Sequence, residues 1–393
     1  MRRIVSFILT VLIVFSFCTS SGFSEGSEKI EACLNGNDRN VLTFGHLVFS
    51  LPADDFLGSF EPGDIVTAAV DGCDPLNVPV CTSYDDVAPG EMLLLAKPGK
   101  SSITLAINYG QIGVVLGVLK ELVNGSENRF AIKNGIQQPL KMTVTMKEKG
   151  GYQAETLPDS LYYPNDRNEY AAVLSDEQFA NFREVSTTGM GKNVLYRSSS
   201  PIDDSLSRNT TADALAKENG IRTFIDLSDS QSAAIGFPGY EGSYFSTQNV
   251  FYGNLSSSFK TPAFSAGLAE GLRYMTSQEA PYLLHCLLGR DRTGFVAAVL
   301  ELFMGADLDE VKDDYLLSYE NFYAELKNGG VQLSDPIRKT IRELIEKNLE
   351  YTYGIDNLAA ADTVQATEDY LLSIGLRLEE LDALRSCLQG EAA

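Results

Sequence analysis

The chain has 393 residues, of which 44% are hydrophobic and 21% charged. That is enough to bury one large core or two ordinary ones, and it excludes the disordered and fibrous classes. Its 31 Lys and Arg stand against 53 Asp and Glu, a net charge of -22, so the surface repels nucleic acid and anionic membrane, and any anionic substrate needs a local basic pocket. His46 and His285 are the only histidines, which rules out a metal site built on several of them and confines a Ser-His-Asp triad to one of the two.

Residues 1–21 divide as an export signal does: Arg2 and Arg3, an apolar run over 4–17, then the small Thr19, Ser20 and Ser21. The run is short against the roughly 20 apolar residues of a membrane span. The expectation is a secreted or extracytoplasmic chain with no stable span once mature; an uncleaved N-terminal anchor is the alternative. Phe17 stands before Cys18, where lipid attachment prefers a small residue. Five cysteines follow the signal, at positions 33, 73, 81, 286 and 387. An oxidising compartment permits a bridge such as Cys73 to Cys81 or Cys33 to Cys73, and the odd number leaves at least one thiol unpaired, for which Cys286 is the candidate.

Residues 28–147 carry a strand pattern. Ile103, Leu105 and Ile107 alternate with their neighbours, as do Met142, Val144 and Met146, and turn signals fall at 61–64 and 88–91. This reads as a small β-rich accessory domain. Within it, Tyr84-Asp85-Asp86-Val87-Ala88-Pro89-Gly90-Glu91 and Leu105-Ala106-Ile107-Asn108-Tyr109-Gly110 resemble the C-terminal β-barrel domain of the S-adenosylmethionine hydroxide adenosyltransferases. The catalytic half of that family has no counterpart here, so the resemblance implies packing, partner binding or substrate presentation.

Residues 148–169 read as a linker, and a second domain spans 170–393. Short apolar strands are expected at 221–227 and 282–285, helices at 263–276, 294–304 and 335–349, and two short helices broken at Gly375 in the tail. Strands alternating with helices indicate an α/β fold with a mainly parallel sheet flanked by helices.

The informative line is Tyr282-Leu283-Leu284-His285-Cys286-Leu287-Leu288-Gly289-Arg290-Asp291-Arg292-Thr293-Gly294. It reads as a buried strand, a loop over 286–292, and a helix starting at Thr293. The loop amides of Leu287, Leu288, Gly289 and Arg290, with the helix N-terminus, can converge on one anion, a substrate phosphate. The same field favours a thiolate at Cys286. Arg292 can hold two phosphate oxygens with its planar fork, Gly289 permits the tight bend, and the Thr293 hydroxyl is placed to bond the sulfur. A buried structural cysteine before a helix is the bland alternative; the strand, the Gly and the Arg-Thr-Gly ending together argue against it.

The loop resembles that of the cysteine-dependent tyrosine and dual-specificity phosphatases. Tyr196-Arg197-Ser198, Gly220-Ile221-Arg222-Thr223-Phe224-Ile225-Asp226-Leu227 and Asp314-Tyr315-Leu316-Leu317-Ser318 narrow the resemblance to the bacterial secreted type of that family. It implies a tyrosine-phosphatase fold, no metal and no cofactor, and a phosphorylated protein or phosphoinositide as substrate. Two positions depart from the family pattern: Arg290 stands where Lys is usual, and Ser228 follows Asp226-Leu227 where Arg is usual.

Release of phosphotyrosine needs a carboxylic acid. No Asp lies between Gln231 and Arg290, which leaves Asp291, as the resemblance suggests, and Asp226 at its strand end. Either can instead be a structural carboxylate. Arg197 either orients phosphate or pairs with a core carboxylate, and Lys260 is a lid residue or a solvated lysine. His285 supports the thiolate. The expected activity is phosphomonoester hydrolysis through a phosphocysteine, with protein phosphotyrosine as substrate; a phosphoinositide or phytase-like phosphatase and a non-catalytic phosphate-binding module are the alternatives.

Overall fold

The computed structural model describes residues 29–122, 129–152, 165–170, 174–323, 333 and 335–390. The expected export signal lies outside these residues, as does most of the expected linker. No described helix is long and apolar enough to cross a membrane.

The first half is a closed barrel. Its strands are β1 (Lys29–Leu34), β2 (Leu47–Ser50), β3 (Ile65–Val70), β4 (Leu76–Cys81), β5 (Met92–Leu95) and β6 (Ile103–Ile107). A small hairpin, β7 (Leu119–Glu121) and β8 (Phe130–Ile132), precedes β9 (Lys141–Glu148), and the barrel closes in the order β1-β2-β6-β5-β4-β3-β9. Alternation fills its interior: Val66, Ala68 and Val70 of β3 meet Met142 and Val144 of β9 in one core.

The second half is a five-stranded sheet of β10 (Arg183–Glu184), β11 (Leu195–Ser198), β12 (Thr223–Asp226), β13 (Asn249–Tyr252) and β14 (Tyr282–His285), in the order β10-β11-β14-β12-β13. Only the β10 edge is antiparallel. The three inner strands, β11, β14 and β12, are buried on both faces, as a parallel sheet covered by helices requires. Leu195, Ile225 and Leu284 face a core shared with the helices Pro262–Thr276, Asp291–Met304, Leu308–Phe322, Asp335–Tyr353, Thr363–Ser373 and Leu378–Gln389. Tyr196, Phe224 and Leu283 face the other way, onto the helix Asn209–Glu218 and Phe245.

Several expected elements shift at their ends. The strand expected at 221–227 is trimmed to β12, and the helix expected to start at Thr293 begins at Asp291. The tail helices break at Gly375, whose φ of 99° is left-handed. The expected disulfides are corrected: none of the five described cysteines is bridged to another. Cys73 sits in the turn before β4 and Cys81 at its far end, so an extended strand holds them more than twice as far apart as the about 7 Å that a bridge between Cα atoms tolerates. β9 lies between Cys33 on β1 and the β3 end that leads to Cys73.

Candidate active site

β14 is the central strand, and the loop that leaves its C-terminal end is the sequence's Cys286–Arg292 segment, in the position where open α/β sheets place their ligands. Gly289 makes the sharpest turn. Its φ is 67°, and a Cβ there would stand 2.1 Å from the Ser198 carbonyl oxygen, so only glycine fits without moving β11.

The loop is held by its carbonyls. Ser200 N donates to Leu287 O at 3.1 Å, Asn181 Nδ2 to Leu288 O at 3.2 Å and Gly289 O at 3.1 Å, and Arg197 Nη2 to Gly289 O at 3.0 Å. With the carbonyls bound from outside, the N–H groups of Leu287, Leu288, Gly289 and Arg290 donate to no protein acceptor among the described residues. Four adjacent amides and the first turn of the Asp291–Met304 helix thus follow Cys286 without protein acceptors, an arrangement whose partial positive charge can hold an anion. The Cys286 side chain lies at its base, 2% exposed.

Arg197 was expected either to touch phosphate or to pair with a core carboxylate, and it does the second. It is fully buried, ion-paired to Asp314 and bonded to Ser318 Oγ at 3.1 Å. Arg183 Nε reaches the other Asp314 oxygen at 2.7 Å. Burial acts to raise the Asp314 carboxyl, but the two guanidinium groups outweigh it and hold Asp314 well below the usual carboxylate range. Arg197 therefore supports the loop from beneath.

The model for the tyrosine phosphatase family matches residues 174–390, over half of the chain. The chain belongs to the tyrosine phosphatase family. Among solved structures it is similar to an uncharacterized conserved protein from Thermotoga maritima, with 21% identity, 30% of this chain and 35% of that chain covered, and a TM-score of 0.22. It thus spans about a third of that protein's length. It is also similar to P. aeruginosa TpbA, 16% identical over 56% of this chain and 99% of that one, at a TM-score of 0.28. A cysteine-to-serine variant of TpbA in complex with pTyr is 15% identical, with 56% and 100% covered and a TM-score of 0.29. No curated protein matches the chain.

The remaining side chains of the phosphatase loop divide by direction. Arg292 Nη1 donates to the Leu255 carbonyl at 3.1 Å. Arg290 turns away, pairing with Asp291 through Nε to Oδ1 at 3.0 Å and Nη2 to Oδ2 at 3.2 Å. Its guanidinium lies 4.7 Å from the Tyr319 ring centroid and bonds the Tyr323 hydroxyl. Of the phosphate contacts expected of Arg290, only its backbone amide is left without a protein partner among the described residues, while the side chain stacks on Tyr319 of the Leu308–Phe322 helix. The Asp291 side chain is 24% exposed. The bond expected from Thr293 to the sulfur is corrected: Thr293 Oγ1 is buried and has no hydrogen-bond partner among the described residues. Because the helix starts two residues early, Thr293 falls inside its first turn, with its side chain in the core.

Asp226 lies beneath the loop with no exposed surface. Its Oδ1 accepts from Ser228 N and Oγ, both at 2.9 Å, and from Asp229 N at 3.1 Å, and stands 3.9 Å from His285 Nδ1. Burial pushes its carboxyl up to about 6 despite those bonds. Burial also pulls the His285 imidazole down to about 4, so that it is neutral at physiological pH. Lys260 is exposed, its Nζ 4.8 Å from the Tyr351 ring centroid.

Sequence reasoning passed over Asn181, Ser200, Asp314 as a pairing partner, and Asp229. Asp229 follows Asp226 by three residues at the same strand end, a proximity the sequence displays. Its carboxylate accepts from Ser228 Oγ at 2.6 Å, and burial, then the charge of Asp226, raises its carboxyl.

Proposed function

We propose that the phosphatase hydrolyses protein phosphotyrosine through a phosphocysteine formed on Cys286. The observation that carries the reading is the run of four amides after Cys286 that meet no protein acceptor among the described residues, while the Leu287, Leu288 and Gly289 carbonyls are bonded by Ser200, Asn181 and Arg197. The Cys286 thiolate attacks phosphorus in line, so an S–P bond forms as the P–O bond to the tyrosyl oxygen breaks. The amides and Arg292 stabilise the charge on the equatorial oxygens. Asp291, partly exposed beside the loop, gives its proton to the leaving oxygen. Water then attacks phosphorus, Asp291 takes its proton, and phosphate and the thiolate are released. Asp226 has no surface with which to meet a leaving group, and its place in this scheme is support of the loop with His285.

The turning of Arg290 onto Tyr319 and Tyr323 favours an aryl phosphate over an inositol polyphosphate, because it leaves Arg292 as the one basic side chain of the loop that is not paired with a carboxylate. Export rests on Arg2, Arg3 and the apolar run that follows; N-terminal sequencing of the mature chain beginning after residue 21 supports it, and an intact Met1 in an exported chain overturns it.

Cys286→Ser is the test of mechanism. Turnover of a phosphotyrosine peptide falls to background while the peptide is still retained, and EDTA leaves the wild type unaffected. Substantial turnover by the Ser variant would falsify the phosphocysteine. Wild-type turnover that is faster on phosphoinositide or inositol hexakisphosphate than on the peptide would reassign the substrate class.

A further inference from the structure

Arg292 does not stand alone. Its Nη1 donates to the Leu255 carbonyl, and Leu255 belongs to a short segment tied to the end of β12 by three backbone bonds. Gly253 N donates to Asp226 O at 2.7 Å, Asn254 N to Asp229 O at 3.2 Å, and Leu255 N to Leu227 O at 2.8 Å. Asn254 takes a left-handed φ of 46°, a conformation that costs a non-glycine residue energy unless something fixes it.

What fixes it comes from the barrel. Arg129, next to β8, donates from Nη2 to both the carbonyl and the Oδ1 of Asn254, the latter at 2.6 Å. Arg129 is itself anchored by its main chain, donating to Leu42 O and accepting from Leu122 N, both at 2.8 Å. A second barrel residue reaches the same segment: Tyr109 stacks on Phe259 at 5.1 Å, and Phe259 stacks on Phe295 of the helix that carries Arg292 at 4.1 Å. The two arginines donate to the carbonyls of adjacent residues.

We infer that the barrel is part of the catalytic apparatus, and that Arg129 is a positioning residue that sets the Arg292 guanidinium through Asn254 and Leu255. The barrel thereby acquires a role in the phosphatase reaction that the tyrosine phosphatase half does not supply for itself. Burial and the nearby charge of Arg292 lower the Arg129 guanidinium to about 10, consistent with two cations held close together. The inference rests on the reading of Arg292 as the phosphate-gripping side chain.

The test is a double-variant cycle on the full chain, with kcat and KM measured separately on a phosphotyrosine peptide and the Kd of tungstate as an oxyanion probe. Arg129→Met lowers kcat/KM and tungstate affinity on the order of 10-fold in the wild-type background, since small misplacement of a clamping group is costly. In the Arg292→Lys background the same change costs less than about 2-fold, because the group being positioned is already gone. Arg129→Lys, which still donates to both oxygens, recovers most of the loss. Asn254→Gly, which keeps the left-handed turn and deletes one acceptor, repeats the pattern at smaller size and stands in should Arg129→Met fail to fold. Equal losses in both backgrounds, or wild-type kinetics in a folded Arg129→Met, overturn the inference and leave the loop reading standing. Full activity of Arg292→Lys alone overturns both together.

Discussion

The buried pair of Asp226 and His285 makes an unusual pH signature. Asp226 titrates near 6 in the fold against 3.8 for an unperturbed carboxyl, so between those values the folded state holds one proton more than the unfolded chain. Stability from this group alone falls as pH rises through that window, by about 3 kcal/mol at about 1.4 kcal/mol per unit. His285 titrates near 4 against 6.5. Between those values the unfolded chain holds the extra proton, and stability from this group rises with pH by about 3 kcal/mol. In the wild type the two slopes cancel between about pH 4 and 6. Asp226→Asn keeps an oxygen for the Ser228 and Asp229 donors and removes one slope. The difference in unfolding free energy, variant minus wild type, then climbs by about 3 kcal/mol from pH 3.8 to about 6, and His285→Gln gives the mirror image, a fall of similar size between about pH 4 and 6.5. Urea unfolding at half-unit pH steps measures both, and using differences removes the contribution of every other titrating group. A flat difference curve for Asp226→Asn refutes the argument that burial sets the protonation of this pair.

Asp291→Asn slows turnover of phosphotyrosine by about 10² to 10³ and of p-nitrophenyl phosphate by less than about 10-fold, because a good leaving group needs little protonation; equal losses on both substrates remove Asp291 as the acid. Gly289→Ala places a methyl on the Ser198 carbonyl oxygen at a left-handed φ, so chemical denaturation registers a loss on the order of 2 kcal/mol and kcat/KM falls at least 10²-fold. A variant with native stability and activity would mean that the loop bends elsewhere. Arg197→Met leaves Asp314 with one of its two guanidinium partners and the Gly289 carbonyl without one of its two side-chain donors. It destabilises by about 3 kcal/mol or more and weakens oxyanion binding in calorimetry, whereas unchanged tungstate affinity would show that the loop keeps its shape without Arg197.

Strand, loop and helix at residues 282–304 were legible in the sequence because they are set by contiguous residues: a four-residue apolar strand, a glycine at the bend, and a helix so apolar that it has to be central. The same local grammar displayed Cys286, Arg292 and Asp291 at fixed spacing. The start of the helix was misjudged by two residues because the turn around Arg290 and Asp291 carries no capping side chain to mark it. What the sequence could not display is how the loop is held. The amides of residues 287–290 are left without protein acceptors while Asn181, Ser200 and Arg197 bind the carbonyls, and Arg292 is aimed by a barrel residue acting through Asn254. These contacts join residues 92 apart for Arg197 and Gly289, 108 apart for Asn181 and Gly289, and 125 apart for Arg129 and Asn254. No periodicity or spacing rule relates positions so distant, because chain folding alone brings them together. The choice between phosphate and a core carboxylate for Arg197 was open for the same reason: the deciding partner, Asp314, lies on a helix 117 residues away, and only the tertiary fold brings it to the buried Arg197 guanidinium.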